Sequence, residues 1–199
     1  MSIRHGLLAL LDQGPRYGYQ LRSEFEARTG ATWPLNVGQV YTTLGRLERD
    51  GLVEPAGEDD EGHLFYAVTE AGRTELRQWF DTPVPRTNPP RDELAIKLAM
   101  AVGVPGVDVQ AVVQSQRRHS MKALQDYTRL KAQALNAGEQ QSDLAWLLVL
   151  EQLIFQTEAE IRWLDHCESR LAQQAARSAP APAPAPPAST TGRPRRSRI

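Results

Sequence analysis

Cysteine is nearly absent from this chain of 199 residues, and long apolar runs are missing. The single cysteine, Cys167, excludes an internal disulfide framework and a cysteine-rich zinc site. No run reaches the roughly 18 apolar residues that a membrane-spanning helix needs. The N-terminal apolar run is too short and too soon acidic for a secretory signal. We therefore expect a cytoplasmic protein without a membrane partner, in which Cys167 is a packing residue rather than a redox sensor.

The chain also lacks the basic excess of a strongly cationic DNA-binding protein. Its formal net charge is −1, from 23 lysines and arginines against 24 aspartates and glutamates. Residues 1–80 hold 8 basic and 12 acidic side chains, whereas residues 174–199 hold 5 arginines and no acid. Any affinity for phosphate must therefore come from a local group of arginines or from the C-terminal tail.

The motifs of common enzyme classes are missing as well. We find no glycine-rich phosphate loop, no paired-histidine metal motif and no nucleophile elbow. The four histidines are scattered without ligand spacing at His5, His63, His119 and His166. The sequence therefore predicts neither an enzyme nor a metal or cofactor site.

Apolar periodicity divides the chain into parts. It predicts helix, helix, helix, strand, hairpin, strand and helix over residues 1–82, which is the order of a winged helix-turn-helix domain. A proline-rich linker over residues 83–90 follows. Residues 91–176 carry three further helical patterns, and residues 177–199 form a basic tail that we expect to be disordered. The tail is either a DNA-binding arm or a dispensable extension. The predicted fold class is mainly α with one small β-hairpin.

The third helical pattern, within residues 36–53, is the most informative. Asn36 is expected to cap this helix and Gly51 to end it. One face is an apolar stripe made of Val37, Val40, Leu44 and Leu47. The opposite face carries side chains suited to a major groove, namely Gln39, Thr42, Thr43 and Arg46. By itself this pattern is equally that of an ordinary surface helix, and the flanking segments favour the DNA-reading interpretation.

A long apolar seam marks the last helical pattern, over residues 142–176. Its positions alternate at spacings of three and four, as in a coiled coil. They are Leu147, Leu150, Ile154, Thr157, Ile161, Leu164, Glu168 and Leu171. Such a seam must be buried against another helix, from the same chain or from a partner.

Three short segments in this order resemble the PadR family of bacterial transcriptional regulators. They are the Tyr-Gly-Tyr-Gln-Leu segment at 17–21, residues 38–53, and the Tyr-Ala-Val-Thr-Glu-Ala-Gly segment at 66–72. Residues 91–173 are similar to the helical C-terminal domain of the virulence-activator-alpha type. The resemblance implies a winged helix domain and a homodimer formed through the C-terminal helices. It also implies an operator partner of double-stranded DNA and, for many members, release by a small aromatic effector.

The predicted function is therefore a dimeric, sequence-specific transcriptional repressor. The alternatives are a winged-helix protein-interaction module and a MarR-like regulator. The residues expected to contact DNA are Tyr17, Tyr19, Asn36, Gln39, Tyr41, Thr42, Thr43, Arg46 and His63. Trp146 and Trp163 are candidates for an aromatic effector wall, with plain packing as the competing interpretation.

The hairpin tip departs from the family pattern. It reads Glu58-Asp59-Asp60-Glu61, and carboxylates that face phosphate are repelled. Either this tip points away from DNA, or the flanking His63 makes the contact while the tip stays in solvent.

Overall fold

The computed structural model of the protein describes residues 2–85, 91–136 and 141–178. The fold class predicted from the sequence is confirmed, because these residues form helices and one two-stranded antiparallel hairpin. The elements are α1 (Ser2–Leu11), α2 (Gly18–Thr29), α3 (Val37–Arg49), β1 (Val53–Glu58), β2 (Leu64–Val68), α4 (Glu70–Asp81), α5 (Glu93–Ala101), α6 (Val109–Asn136) and α7 (Gln141–Ser178). No helix among the described residues has the length and apolarity needed to cross a bilayer.

An aliphatic core holds α1, α2 and α3 together. The stripe predicted for α3 faces this core, and Val40, Leu44 and Leu47 are fully buried. They pack with leucines of α1 and with Leu21 of α2. Glycines end both α2 and α3, since Gly30 has φ 57° and Gly51 has φ 72°, in the left-handed region that disfavours other residues. The core therefore fixes which face of α3 points to solvent.

The hairpin β1–β2 forms the wing. Val53 pairs with Val68 and Pro55 with Tyr66, and the register shifts between Pro55 and Glu58. Glu58, the first residue of the predicted tip, is the last residue of β1, so the turn begins one residue later than predicted. The loop before α2 adds a backbone pair that the sequence did not predict. The Arg16 amide donates to the Tyr66 carbonyl at 3.1 Å, and the Tyr66 amide donates back at 3.0 Å. This pair ties the wing to the start of α2.

Helices α6 and α7 form an antiparallel hairpin. Arg117 donates to Asp165 at 2.6 Å near one end, and Lys131 pairs with Glu151 at 2.5 Å nearer the other. Between them, the buried Ser120 hydroxyl donates to the Glu160 carboxylate at 2.5 Å. The predicted seam of α7 is buried here against its own chain at Leu150, Ile161 and Leu164, while Glu168 is exposed.

The ends of the helical region differ slightly from prediction. Helix α7 continues to Ser178, so the tail predicted to begin at residue 177 begins at least two residues later. The helical propensity of the Ala-Ala-Arg-Ser segment accounts for the extension. The rest of the predicted tail, residues 179–199, lies outside the described residues, as do residues 86–90 of the predicted linker.

The start of α7 packs on the end of α2. The Trp146 ring lies over Gly30, where a Cβ atom would be 2.3 Å from the ring carbons. Only a glycine allows this approach, because any side chain at residue 30 would overlap the indole. Trp146 therefore couples the C-terminal helices to the winged helix.

Replacing Gly30 with alanine is expected to lower the free energy of unfolding by about 2–4 kcal/mol, from αL strain plus overlap with Trp146. The matched control is Gly51→Ala, which also has a positive φ, but with nothing within 4 Å of the added Cβ. Urea unfolding of both variants separates strain from overlap. In a Trp146→Ala background the cost of Gly30→Ala should fall to that of Gly51→Ala, and an unchanged cost would contradict the contact.

Candidate nucleic-acid interface

The face of α3 opposite the core is polar. Gln39, Thr42 and Arg46 are exposed and Thr43 is half-buried, while Val40, Leu44 and Leu47 are fully buried. The four polar side chains recur at helical spacing, so they form one strip along α3. A solvent-facing strip of amide, hydroxyl and guanidinium groups has the shape and chemistry to enter a major groove.

Hydrogen bonds within α3 fix part of this strip. The Thr42 hydroxyl donates to the Gly38 carbonyl at 2.7 Å, and the Thr43 hydroxyl donates to the Gln39 carbonyl at 2.8 Å. Both hydroxyl protons are thus used by the helix, so these threonines present oxygen acceptors and methyl groups outward. Gln39 and Arg46 therefore supply the N–H donors of the strip.

The guanidinium of Arg46 makes no hydrogen bond or ion pair with any residue that the structure describes. Most other arginines of the winged helix are engaged by carboxylates. Arg16 donates to Glu24 at 2.6 Å, and Arg22 donates to Glu26 at 3.2 Å. Because Arg46 is exposed without a neutralising carboxylate, it can bind an external acceptor at little cost in broken bonds.

Tyrosines flank the start of α3. The Tyr41 ring covers Gly18 at the start of α2, where an added Cβ would be 2.6 Å from the ring. Tyr41 and Tyr19 remain 42% and 58% exposed, which is high for aromatic side chains. Gly18 therefore lets α2 and α3 approach each other, with the exposed Tyr41 in α3 itself and the exposed Tyr19 next to Gly18 in α2.

A second aromatic cluster joins α2 to the wing. The Tyr17 ring stacks on His63 with centroids 4.5 Å apart, and its edge meets Phe65 at 5.4 Å. His63 Nδ1 lies 2.9 Å from the Asp59 carboxylate. Its ring is therefore held between Tyr17 and the wing tip, and the Tyr17 hydroxyl and His63 Nε2 have no hydrogen-bond partner among the described residues.

The acidic tip is organised by Asp59. Its Oδ1 accepts from the His63 amide at 2.8 Å and from the Glu61 amide at 3.1 Å. These bonds, chiefly the one from the His63 amide, lower the pKa of Asp59 below its usual value. The carboxylate thus closes the turn, and one of the four acidic groups of the tip is directed inward to the loop.

The two candidate effector residues lie apart. Trp146 contacts α2, whereas Trp163 is 37% exposed and lines a cavity beside α5. Seventeen residues of helix separate them, which is about 25 Å at 1.5 Å per residue. Within one chain they do not form a single aromatic wall. The α7 sequence places both on one helix, but only packing shows that each belongs to a different contact.

Comparison with known proteins identifies the family to which this chain belongs. Residues 7–78 match the transcriptional regulator PadR-like family, and residues 90–172 match the virulence activator alpha C-terminal domain. The chain belongs to the PadR-like family of transcriptional regulators. Its recognition from three sequence segments is thereby confirmed.

Individual relatives agree with the PadR-like assignment over nearly their full lengths. A probable transcriptional regulator of Mycobacterium tuberculosis is 28% identical, over 87% of this chain and 100% of its own. The structure of the Vibrio cholerae virulence activator AphA is 26% identical with a TM-score of 0.64, over 86% of this chain and 99% of that one.

Bacillus subtilis PadR, a negative transcriptional regulator, is 24% identical over 82% of this chain and 93% of its own length. Its crystal structure in complex with operator DNA superimposes with a TM-score of 0.65 at 22% identity, over 86% of this chain and 97% of that one. The same protein has been solved with p-coumaric acid. At this identity the superposition establishes the shared fold.

Sequence reasoning missed several residues of this PadR-like protein. Gly18 and Gly30 are needed where aromatic rings cover the backbone, and only the tertiary packing shows those rings. His166 and Arg170 line a cavity with Trp163. Their spacing of three and then four residues along α7 is a helical face, which was a signal available in the sequence.

Asn36 has a definite structural role. Its side-chain oxygen accepts from the Gly38 amide at 2.8 Å, as expected for an N-cap. Replacing Asn36 with alanine should lower the free energy of unfolding by about 1 kcal/mol, whereas serine should retain the cap. Urea unfolding measures this difference. DNA affinity of Asn36→Ser equal to wild type would assign the residue to capping alone, and a loss would show that its amide contacts DNA.

Proposed function

We propose that this PadR-like regulator is a dimeric repressor that binds operator DNA through α3 and is released by a small molecule. The observation that carries the DNA-binding proposal is the unneutralised Arg46 within the exposed polar strip of α3. Gln39, Thr42, Thr43 and Arg46 read base edges, and Tyr17, Tyr19, Tyr41 and His63 contact the phosphate backbone from the two sides. Asn36 caps the reading helix.

The division of labour follows the boundaries expected from the sequence. Residues 1–82 bind DNA, residues 83–90 link the two domains, and residues 91–176 form the dimer. The basic tail either adds DNA affinity without sequence preference or adds no affinity. Dimerisation is supported by α7, which leaves Leu144, Leu148 and Phe155 more than half exposed. These three lie on a side of α7 other than the seam that packs on α6, and a second copy would cover them.

Repression and release are supported by the relatives. Bacillus subtilis PadR is a negative regulator and binds p-coumaric acid. A repressor whose dimer bridges two half-sites loses affinity when a ligand changes the separation of its winged helices. The contact of Trp146 with Gly30 provides a rigid connection through which the C-terminal helices can act on the winged helix.

The test begins with genomic fragments captured by the purified full-length protein and sequenced. We expect enrichment of a pseudo-palindromic site, bound with an affinity that falls steeply between about 50 and 200 mM salt. Light scattering at micromolar concentration should report a dimer. Absence of any enriched site, together with specific capture of another protein, would instead favour the protein-interaction module, for which the acidic wing tip is suited.

A further inference from the structure

The wing has no permanently charged cation. Residues 53–68, which form β1, the tip and β2, hold five acidic side chains and no lysine or arginine. His63 is the one side chain of this segment that can become positively charged near neutral pH. Carboxylates repel the phosphates of DNA, so a wing with a neutral His63 adds no electrostatic attraction to the duplex. Attraction between the wing and DNA therefore depends on a proton at His63.

Side chains from the tip and from α2 surround the His63 ring. Its Nδ1 lies 2.9 Å from Asp59 Oδ2 and 3.6 Å from Glu61 Oε2. The Tyr17 ring, at the start of α2, stacks on it with centroids 4.5 Å apart. No other titratable side chain of the described residues forms a hydrogen bond, ion pair or ring contact with His63. The side chain is 37% exposed, and its Nε2 is left without an internal partner.

The Asp59 carboxylate determines which nitrogen of the neutral ring carries the proton. Ionised carboxylate oxygens only accept hydrogen bonds, so Nδ1 must be the N–H donor in this pair. The His63 amide, and to a smaller extent the Glu61 amide, lower the pKa of the Asp59 carboxyl group and so keep it ionised. Nε2 of the neutral ring is then an acceptor, and a phosphate oxygen has no proton to offer it. Only the protonated ring presents an N–H at Nε2.

We propose that His63 contacts an operator phosphate only as the imidazolium, so that proton uptake at the wing strengthens DNA binding. Asp59 is a positioning residue for this contact, because it fixes Nδ1 as a donor and leaves Nε2 for the phosphate. The complex holds one more proton than the free components above neutral pH, so affinity rises as the pH falls. One linked proton changes affinity by at most about tenfold per pH unit. The inference rests on the proposed binding of operator DNA.

The test measures the affinity of the full-length protein for a labelled duplex of the enriched genomic site. Measurements are made at about pH 6, 7 and 8 and at constant ionic strength. The wild type should bind about tenfold more tightly at the lowest pH than at the highest. His63→Gln stays neutral and should lose this dependence. His63→Lys stays positive and should bind at every pH about as tightly as the wild type does at the lowest. Urea unfolding at each pH verifies that the variants are folded.

Two variants of the tip separate the positioning of the proton from simple charge. Asp59→Asn and Asp60→Asn each remove one negative charge, but only Asp59 contacts His63. The asparagine amide at residue 59 can donate to Nδ1, which lets the neutral ring carry its proton on Nε2. Asp59→Asn should therefore raise affinity at the highest pH and flatten the pH profile. Asp60→Asn should keep the wild-type pH profile, and equal profiles for the two variants would reject the role of Asp59.

His5 is the other histidine of the winged helix, and it stacks on Trp79 of α4 rather than on the wing. His5→Gln should keep the wild-type pH profile. Wild-type affinity that does not change with pH, or a dependence that persists in His63→Gln, would overturn the proposal and leave operator binding through α3 intact. Absence of an enriched site at every pH would reject the proposed function itself, so the two failures are distinguishable.

Discussion

Replacing Arg46 with alanine is expected to weaken binding to the enriched genomic site by about 1–3 kcal/mol, or roughly 5- to 150-fold. The reason is that Arg46 is exposed on the polar strip of α3 and engages no described carboxylate. Removing it takes away the main cation of this strip without breaking an internal ion pair. Unfolding should therefore be nearly unchanged, and fluorescence anisotropy with a labelled duplex measures the loss.

The matched control for Arg46→Ala is Arg77→Ala. Arg77 is an exposed arginine of α4, and it pairs with Glu70 at 3.2 Å. The Arg77→Ala substitution removes the same charge from the same domain but away from α3, so its effect on DNA affinity should be small. Two further measurements separate the possible contacts of Arg46. A base contact predicts relaxed preference at one operator position, whereas a phosphate contact predicts a uniform loss and a salt slope smaller by about 1. Unaltered affinity would show that α3 does not read the DNA.

Gly72→Ala should lower the free energy of unfolding by about 3 kcal/mol, because an added Cβ would lie 2.1 Å from the Leu52 carbonyl oxygen and 2.7 Å from Val68. The same carbonyl accepts from the Thr69 amide at 3.0 Å. The methyl group therefore forces apart the entry of β1 and the start of α4, which position the wing. Urea or thermal unfolding measures this loss.

Gly45→Ala is the control for Gly72→Ala. Gly45 lies within α3 with nothing within 4 Å of the added Cβ, so alanine should raise stability by up to about 1 kcal/mol through helix propensity. Opposite signs for two glycine-to-alanine changes in helices of one domain would identify close packing as the cause. A loss below 1 kcal/mol for Gly72→Ala would mean that the wing moves aside cheaply.

The helices could be predicted from the sequence because the signals that define them are local. In α3, the cap Asn36, the apolar stripe and the final Gly51 all lie within sixteen residues, and the observed helix has these limits. The wing was readable for the same reason, from alternating side chains around an acidic turn. The strand-like pair between Arg16 and Tyr66 could not be predicted, since it joins segments fifty residues apart through backbone atoms alone.

The candidate site divides in the same way. Which side chains of α3 face outward follows from helical period once the apolar stripe is known, so Gln39, Thr42, Thr43 and Arg46 could be named in advance. Whether these side chains are paired with carboxylates could not be predicted, because the absence of a partner for Arg46 depends on where carboxylates distant in the sequence lie in the fold. The stacking of His63 on Tyr17 likewise arises only when the wing folds against α2, whereas the contact of His63 with Asp59 is local to the tip.

By itself, the sequence indicated the family through the resemblance of three short segments. It also determined the order of helices and strands and the polar face of α3, since short-range periodicity and turn-forming glycines encode both. Tertiary structure alone decided that the seam of α7 packs on α6, that Trp146 rests on Gly30, and that Trp163 instead lines a cavity with Arg170. Those outcomes depend on which surfaces meet at long range, and a one-dimensional pattern specifies that a face must be buried without specifying its partner.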